Sequence, residues 1–291
     1  MVEPRTFMVA VSTPYPSGVK DYLDHTGQGG YWDEFFDGGL VVGSAVMCSM
    51  GAKMCYKSLE VGHNANITRV RKTFDNLQGI IDSGHGSVME HISFTFITTG
   101  CSRIFTHELV RHRAGTAFSQ TSGRYVRLDN IEVVVPPELQ DCQPEITDCL
   151  GAIEQFVDAT ERRVGLQGLD AACEAHGVSP GNAQLAARLG FVENPRTREF
   201  TLPFAVKKKL TSAIRRLAPN GQPNEIMWTA NWRALRHMIE MRSSRHAEWE
   251  IRKVFNDVVD VAPDWVVMGG KERTVTVNDV DGLREWVGLK V

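Results

Sequence analysis

The stretch HISFTFITT, His91–Thr99, alternates, with Ile92, Phe94 and Phe96 on one side and Ser93 and Thr95 on the other. That is the period of a strand with one face in a core and one face in polar surroundings. On both sides of it the period changes. In NITRVRKTFDNLQGIIDSGH (66–85), Val70, Phe74, Leu77, Ile80 and Ile81 recur at helical spacing, with Gly84 as the stop. Over 101–113, Ile104, Phe105 and Leu109 return to the helical period and put His107 and Arg111 one turn apart on a more polar face. Helical patterns also run through 145–165, 181–189, 205–217 and 225–243. IEVVVPPEL (131–139) reads as a strand stopped by two prolines, and the tail KERTVTVNDVDGLREW (271–286) as a strand, a turn and a short helix. With no regular βαβ alternation and no internal repeat, the expected fold is mixed α+β.

Nothing in the first 45 residues argues for a separate domain. TPYPSG and HTGQGGYWDEFFDGG read as loops and short elements laid on a later core. The chain, 291 residues with 42% hydrophobic composition, is long enough to bury a sizeable core. Its N-terminus lacks the pattern of a secretory signal, and no window approaches the roughly 20 apolar residues of a membrane span. A cytoplasmic protein is expected. The six cysteines, Cys48, Cys55, Cys101, Cys142, Cys149 and Cys173, form no Cys-x-x-Cys pair, so reduced, structural thiols are expected and no metal site.

The chemistry gathers in four polar stretches. RHRAGTAFSQTSGRYV (111–126) concentrates Arg111, Arg113, Arg124, His112, hydroxyls and Gln120, with only Glu108 as a carboxylate in the dozen residues before it. Planar guanidinium forks suit phosphate, and the net charge of -3 makes this a local concentration for a small anion and not a nucleic-acid coat. SGHGSVMEH (83–91) places two glycines, two serines, two histidines and a glutamate in a helix-to-strand connection. AIRRLAPNGQPNE (213–225) ends a helix in paired arginines, of which Arg215, flanked by Leu217 and Pro219, is expected to be partly buried and to want an anion. In NWRALRHMIEMRSSRHAEWEIR (231–252), Leu235, Met238 and Ile239 form an apolar stripe while Arg242, His246 and Glu250 step by four along another line. A salt-bridged surface accounts for Glu250 but poorly for Asn231, Arg233 and His237 on a helix that reads as largely buried. No dinucleotide fingerprint, Walker loop, His-Glu-x-x-His or serine elbow is present, so the hard chemistry falls to a bound cofactor.

Taken in order, these stretches resemble the flavin-dependent thymidylate synthases, the ThyX family. Arg111, His112, Arg113, Ser122, Arg124 and Tyr125 look like its Arg-His-Arg, spacer, Ser and Arg-Tyr motif, GHGSVMEHISFTF is similar to its histidine segment before a strand, and RSSRHAEWEIR to its Arg-x-x-x-His-Ala-Gln-Trp-Glu-Ile segment. The likeness runs from about residue 45 to about 260. It implies a compact single-domain α+β subunit over 1–291, with a mostly antiparallel sheet flanked by helices, a 1–45 extension and a 262–291 tail. It further implies a homotetramer with flavin and nucleotide bound where subunits meet. The implied reaction is conversion of dUMP to dTMP, with 5,10-methylenetetrahydrofolate as carbon donor and FAD reduced by NADPH. Carried over by position, Arg242 is the catalytic residue, a fixed cation that stabilises an anionic pyrimidine. Ser122, Gly123, Arg124 and Arg215 hold the nucleotide, with Glu108, Arg111 and Gln120 at positions that touch it. His85, Ser87, Glu90, Arg111, His112, Arg113, Gln120, Asn231, Arg233, His237 and His246 fall at flavin positions. The chain departs from the family in four places, one of them the N-terminal stretch and C-terminal tail, which have no counterpart in it. The Arg113–Ser122 spacer is one residue longer, around Ala114–Ala117, which makes Thr121 an alternative to Ser122. Glu108 replaces a usual glutamine, and His237 a usual asparagine. A hydroxymethyl-transferring enzyme with the same cofactors, or a nucleotide- or RNA-binding homologue without the reaction, are the alternatives.

Overall fold

A computed structural model describes residues 2–32, 39–125, 131–269 and 273–290, with backbone only over 39–42. The Asp33–Gly38 part of the aromatic, glycine-rich N-terminal stretch and Lys271 and Glu272 of the tail lie outside the described residues. The strands are β1 (Arg5–Val11), β2 (Ser93–Ser102), β3 (Thr116–Gln120), β4 (Val192–Glu193), β5 (Phe200–Thr201), β6 (Pro223–Asn231), β7 (Thr274–Val277) and β8 (Arg284–Val287). The helices are α1 (Pro16–Thr26), α2 (Gly39–Cys55), α3 (Thr73–Asp82), α4 (Arg103–Leu109), α5 (Gln143–Val164), α6 (Leu169–His176), α7 (Ala183–Leu189), α8 (Phe204–Ile214), α9 (Trp232–Ser243) and α10 (Trp249–Val261). The main sheet has the order β1-β2-β6-β3, and β4-β5 and β7-β8 are two-stranded. The pairs β1-β2, β4-β5 and β7-β8 are antiparallel.

The chain divides into two compact units: Pro4–Thr99, Phe105–Ser119 and Glu225–Val291 make the larger, and Gln120–Asn224 with Gly100–Ile104 and the N-terminal residues makes the smaller. In the larger unit the alternation of HISFTFITT becomes β2, with Phe94 and Phe96 fully buried. Aromatic rings build its core: Phe96 stacks on Trp228 at 4.6 Å, Trp228 lies 5.8 Å from Phe255 of α10, and Trp232 meets Trp265 edge-on at 5.0 Å. The indole N–H groups are satisfied, Trp228 donating to Thr98 Oγ1 at 3.1 Å and Trp232 to the Val266 carbonyl at 2.9 Å. In the smaller unit Ile131, Val157, Leu166, Leu169, Cys173, Leu185 and Phe191 pack together. There α5 stops at Gly165, whose φ of +82° and position, 2.6 Å from a Phe191 ring carbon at its would-be Cβ, admit only glycine. Among the described residues no helix is long and apolar enough to cross a membrane. None of the six cysteines is in a disulfide among the described residues, Cys48, Cys101 and Cys173 being buried and Cys55, Cys142 and Cys149 exposed.

Several sequence expectations need correction. The helix expected over 66–85 is confined to α3, with Val70 outside it and Phe74 exposed, while the expected stop holds: Gly84, at φ +71°, donates its N–H to Ile81 O at 3.1 Å just past the helix end. Residues 223–231 form β6, where a helix was expected from 225 onward, with Asn224, Ile226, Trp228 and Ala230 buried in alternation. IEVVV is extended but lies outside the sheets, its Val134 N–H donating to Gly221 O at 2.9 Å. The end of the tail is a strand, β8, and the N-terminus supplies β1, an edge of the main sheet. The 231–252 segment is two helices: Glu248 accepts hydrogen bonds from the Glu250 and Ile251 N–H groups and starts α10. The expected line Arg242, His246, Glu250 is therefore broken, and Glu250 is buried instead of lying on a salt-bridged surface.

Candidate active site

The site is organised by the start of α9. Asn231, the last residue of β6, caps the helix through its side chain, which accepts the Ala234 N–H at 2.8 Å. Its backbone N–H donates to the Gly115 carbonyl at 2.8 Å, tying α9 to the RHRAG segment after α4. Gly115 has φ +68°, and a Cβ there would stand 2.2 Å from Asn231 Nδ2, so the contact requires glycine. Thr116 Oγ1 bonds the His112 carbonyl at 2.5 Å and closes the turn.

One helical span further, Arg242 reaches back to the same segment. Its Nε donates to His112 Nε2 at 2.9 Å, its Nη1 to Glu108 Oε2 at 2.8 Å and its Nη2 to the Glu108 carbonyl at 3.4 Å. With 17% of the side chain exposed, this guanidinium is fixed and largely desolvated. Glu108, the unexpected carboxylate, is thereby turned onto a cation. Because Nε2 of His112 accepts, its proton sits on Nδ1. Burial, with Arg242 and then His237 beside it, pushes the imidazole down to about 4, so the ring is neutral at physiological pH. His237 packs edge-on against it at 6.2 Å, and burial, with Lys290 next, lowers its pKa too.

A cavity of about 510 Å³ in the larger unit brings together Glu90, Arg111, His112, Arg113, Asn231, Arg233, His237 and Arg242. Arg233 and Glu90 are paired at 2.8 Å, both about half exposed. Arg111, Arg113 and Arg233 are exposed and Asn231 and His237 half-buried, so α9 is less buried on this face than the sequence suggested. Apolar walls come from Ala114, Ala234, Met238 and Met241, and Gly115 completes the lining. Sequence reasoning missed these five, although for Gly115 the glycine after RHRA was the available signal.

The other expected residues fall elsewhere. His85 and Ser87 line a separate cavity of about 350 Å³ in the same unit, with Tyr56, Arg69 and Arg71. In the smaller unit Gly123 and Arg215 line a cleft of about 300 Å³, with Thr121, Arg103 and Arg216. Arg215 is exposed, not partly buried as expected. Ser122 accepts the Arg124 N–H at 3.4 Å, and neither of the two is in the cleft wall. Gln120 and His246 line none of these cavities, and His246 is exposed in the turn between α9 and α10.

A family model described as thymidylate synthase complementing protein matches residues 42–266. Proteins named flavin-dependent thymidylate synthase are similar in sequence. Those of Mycolicibacterium vanbaalenii and Mycobacterium avium are 34% identical over 236 and 238 residues, 80% of this chain and 80% of each relative. That of Mycobacterium tuberculosis is 34% identical over 212 residues, 73% of this chain and 72% of its own. The crystal structure of Thymidylate Synthase X (ThyX) from Helicobacter pylori with FAD and dUMP superposes with a TM-score of 0.50 at 14% identity, covering 90% of this chain and 94% of that one. At that identity the likeness is one of fold.

Proposed function

Since this chain belongs to the thymidylate synthase complementing protein family, that of the flavin-dependent thymidylate synthases, we propose that it converts dUMP to dTMP with bound FAD. 5,10-Methylenetetrahydrofolate is the carbon donor and NADPH the reductant in this reading, and the reaction takes place in the cytoplasm. FAD supplies the electrons that reduce the transferred carbon.

The residues of the larger cavity fit a flavin nucleotide. Arg111, Arg113 and Arg233 offer guanidinium forks to its pyrophosphate, while Met238, Met241 and the neutral His112 and His237 rings offer surfaces to its planar ring. Glu90 steadies Arg233, and Asn231 holds the α9 terminus in place. His85 and Ser87 join the flavin site from their own cavity on a neighbouring subunit, and Gln120 and His246 keep a flavin role on resemblance alone. Gly123 and Arg215, with Thr121, Ser122 and Arg124 close in sequence, hold the nucleotide phosphate, and each charge-assisted hydrogen bond there contributes on the order of 1.5–3 kcal/mol.

Arg242 acts on the pyrimidine. Pinned by Glu108 and His112, it presents its charge without reorganisation, stabilises the base as an anion and so makes C5 nucleophilic. His112, neutral and accepting at Nε2, orients that guanidinium and leaves its charge undiminished. The exposure of Arg111, Arg113 and Arg233 in one subunit accords with a homotetramer in which a second copy covers the cavity. The family match spans both compact units, which supports treating 1–291 as one functional domain.

The observation that carries this reading is the Arg242 clasp within the arginine-lined cavity. Arg242→Ala is expected to keep bound FAD and the fold while turnover falls by about two to three orders of magnitude. Retained turnover, or loss of FAD and fold together, would sink the catalytic role of Arg242.

A further inference from the structure

The end of the chain, beyond the residues that match the family model, is fastened to α9. Arg236, Glu240 and Ser243, at i, i+4 and i+7, form one face of that helix. Arg236, 1% exposed, donates from Nε to Leu289 O at 2.9 Å and from Nη1 to Val266 O at 3.0 Å and to Met268 O. The Glu240 carboxylate accepts the Leu289 N–H at 2.7 Å and the Lys290 N–H at 2.9 Å, and Ser243 Oγ accepts the Trp286 N–H at 3.1 Å. Trp286 and Leu289 are buried. Ala234, His237, Met238 and Met241, at i, i+3, i+4 and i+7, form another face, and this one lines the arginine-rich cavity. One helix is therefore gripped by the tail on one face and works in the cavity on another. Lys290 Nζ lies 3.6 Å from Glu240 Oε1, which brings a cation of the tail to the helical turn that bears His237.

We propose that the C-terminal tail is a positioning element of the cavity, holding α9 through Arg236, Glu240 and Ser243 and setting the charge state of His237 through the Lys290–Glu240 pair. The proposal rests on reading the cavity as the flavin site. An anionic ligand draws a proton onto a neighbouring imidazole, so a ring that stays neutral beside one needs opposing positive charge. The charged and titratable groups around His237 are Arg233, Glu240 and Arg242 on α9, Arg111, His112 and Arg113 from the segment after α4, Glu90 from the turn before β2, and Lys290 from the tail. Burial, then Lys290, then Arg242 favour the neutral ring, and Glu240 favours the charged one.

Histidine NMR titration of the FAD-loaded protein tests this, with His237→Asn identifying the resonance. Lys290→Gln removes an opposing cation and is expected to raise the His237 midpoint by a few tenths of a pH unit. Glu240→Gln removes the supporting anion and is expected to lower it. Mere loosening of the helix would expose the ring and move both variants upward, toward the ordinary imidazole value. Shifts of opposite sign support the proposal, and shifts of the same sign or none overturn it. If the wild-type protein binds no FAD, the flavin reading fails, while the same titration on the flavin-free protein still decides the role of the tail.

Discussion

Replacing Gly115 by alanine tests how the cavity is assembled. The new Cβ would stand 2.2 Å from Asn231 Nδ2, 2.6 Å from its Cγ and 2.9 Å from its Oδ1, at a backbone φ of +68°. Relief requires the Asn231 side chain to leave the Ala234 N–H that it caps at 2.8 Å. An alanine in the left-handed region costs about 1–2 kcal/mol and the lost cap about 1 kcal/mol, so Gly115→Ala should destabilise by about 2–3 kcal/mol. Asn231→Ala alone should cost about 1 kcal/mol, the cap only. In the double variant the clashing atoms are gone, so its cost should stay near that of Gly115→Ala, about 1 kcal/mol below the sum of the single changes. Urea unfolding followed by circular dichroism measures all three, and FAD affinity reports on the cavity. Additive costs, or a Gly115→Ala cost below about 1 kcal/mol, would refute the coupling between the RHRAG segment and the α9 cap.

Asp281 pairs with the buried Arg252 at 2.6 Å, and among the described residues Arg252 Nε has no hydrogen-bond partner, so Asp281→Ala should cost about 3 kcal/mol in the same unfolding assay. The pH dependence of stability carries a signature of His112. Its folded pKa, about 4, lies below the ordinary 6.5, so the unfolded chain binds the extra proton between these values. The contribution of this ring is complete above about 6.5 and is lost as pH falls toward 4. His112→Gln should flatten the stability profile in that window, and an unchanged profile would contradict a buried neutral ring.

How legible this was depended on how local each cause is. The β2 strand was plain because Ile92, Phe94 and Phe96 bury one face and the pattern is written within a few residues. In β6 the same alternation was present at Ile226, Trp228 and Ala230, but the helix that follows directly at Trp232 extended the apolar run and masked the change of period. The break between α9 and α10 rests on a Glu248 side-chain cap, which the paired serines before it only hint at. The order of the polar stretches was readable as a resemblance, and the cavity brings Arg111, His112 and Arg113 together with Asn231, Arg233, His237 and Arg242. The partner of Glu108, the contact of Gly115 with Asn231, and the grip of Arg236 and Glu240 on the tail join residues roughly 50 to 130 positions apart, and single-sequence periodicity carries no such information. Arg215 was misjudged because its apolar neighbours in sequence do not cover it in space.

On the proposed reading, this chain methylates dUMP with a bound flavin. The most direct measurement incubates the purified protein with FAD, NADPH, 5,10-methylenetetrahydrofolate and dUMP and weighs the nucleotide product by mass spectrometry. The expected product is dTMP, a gain of one methylene unit over dUMP, dependent on every component and largely lost in Arg242→Ala. A product heavier by a further oxygen, or unchanged dUMP from a protein that holds FAD, would contradict that reading.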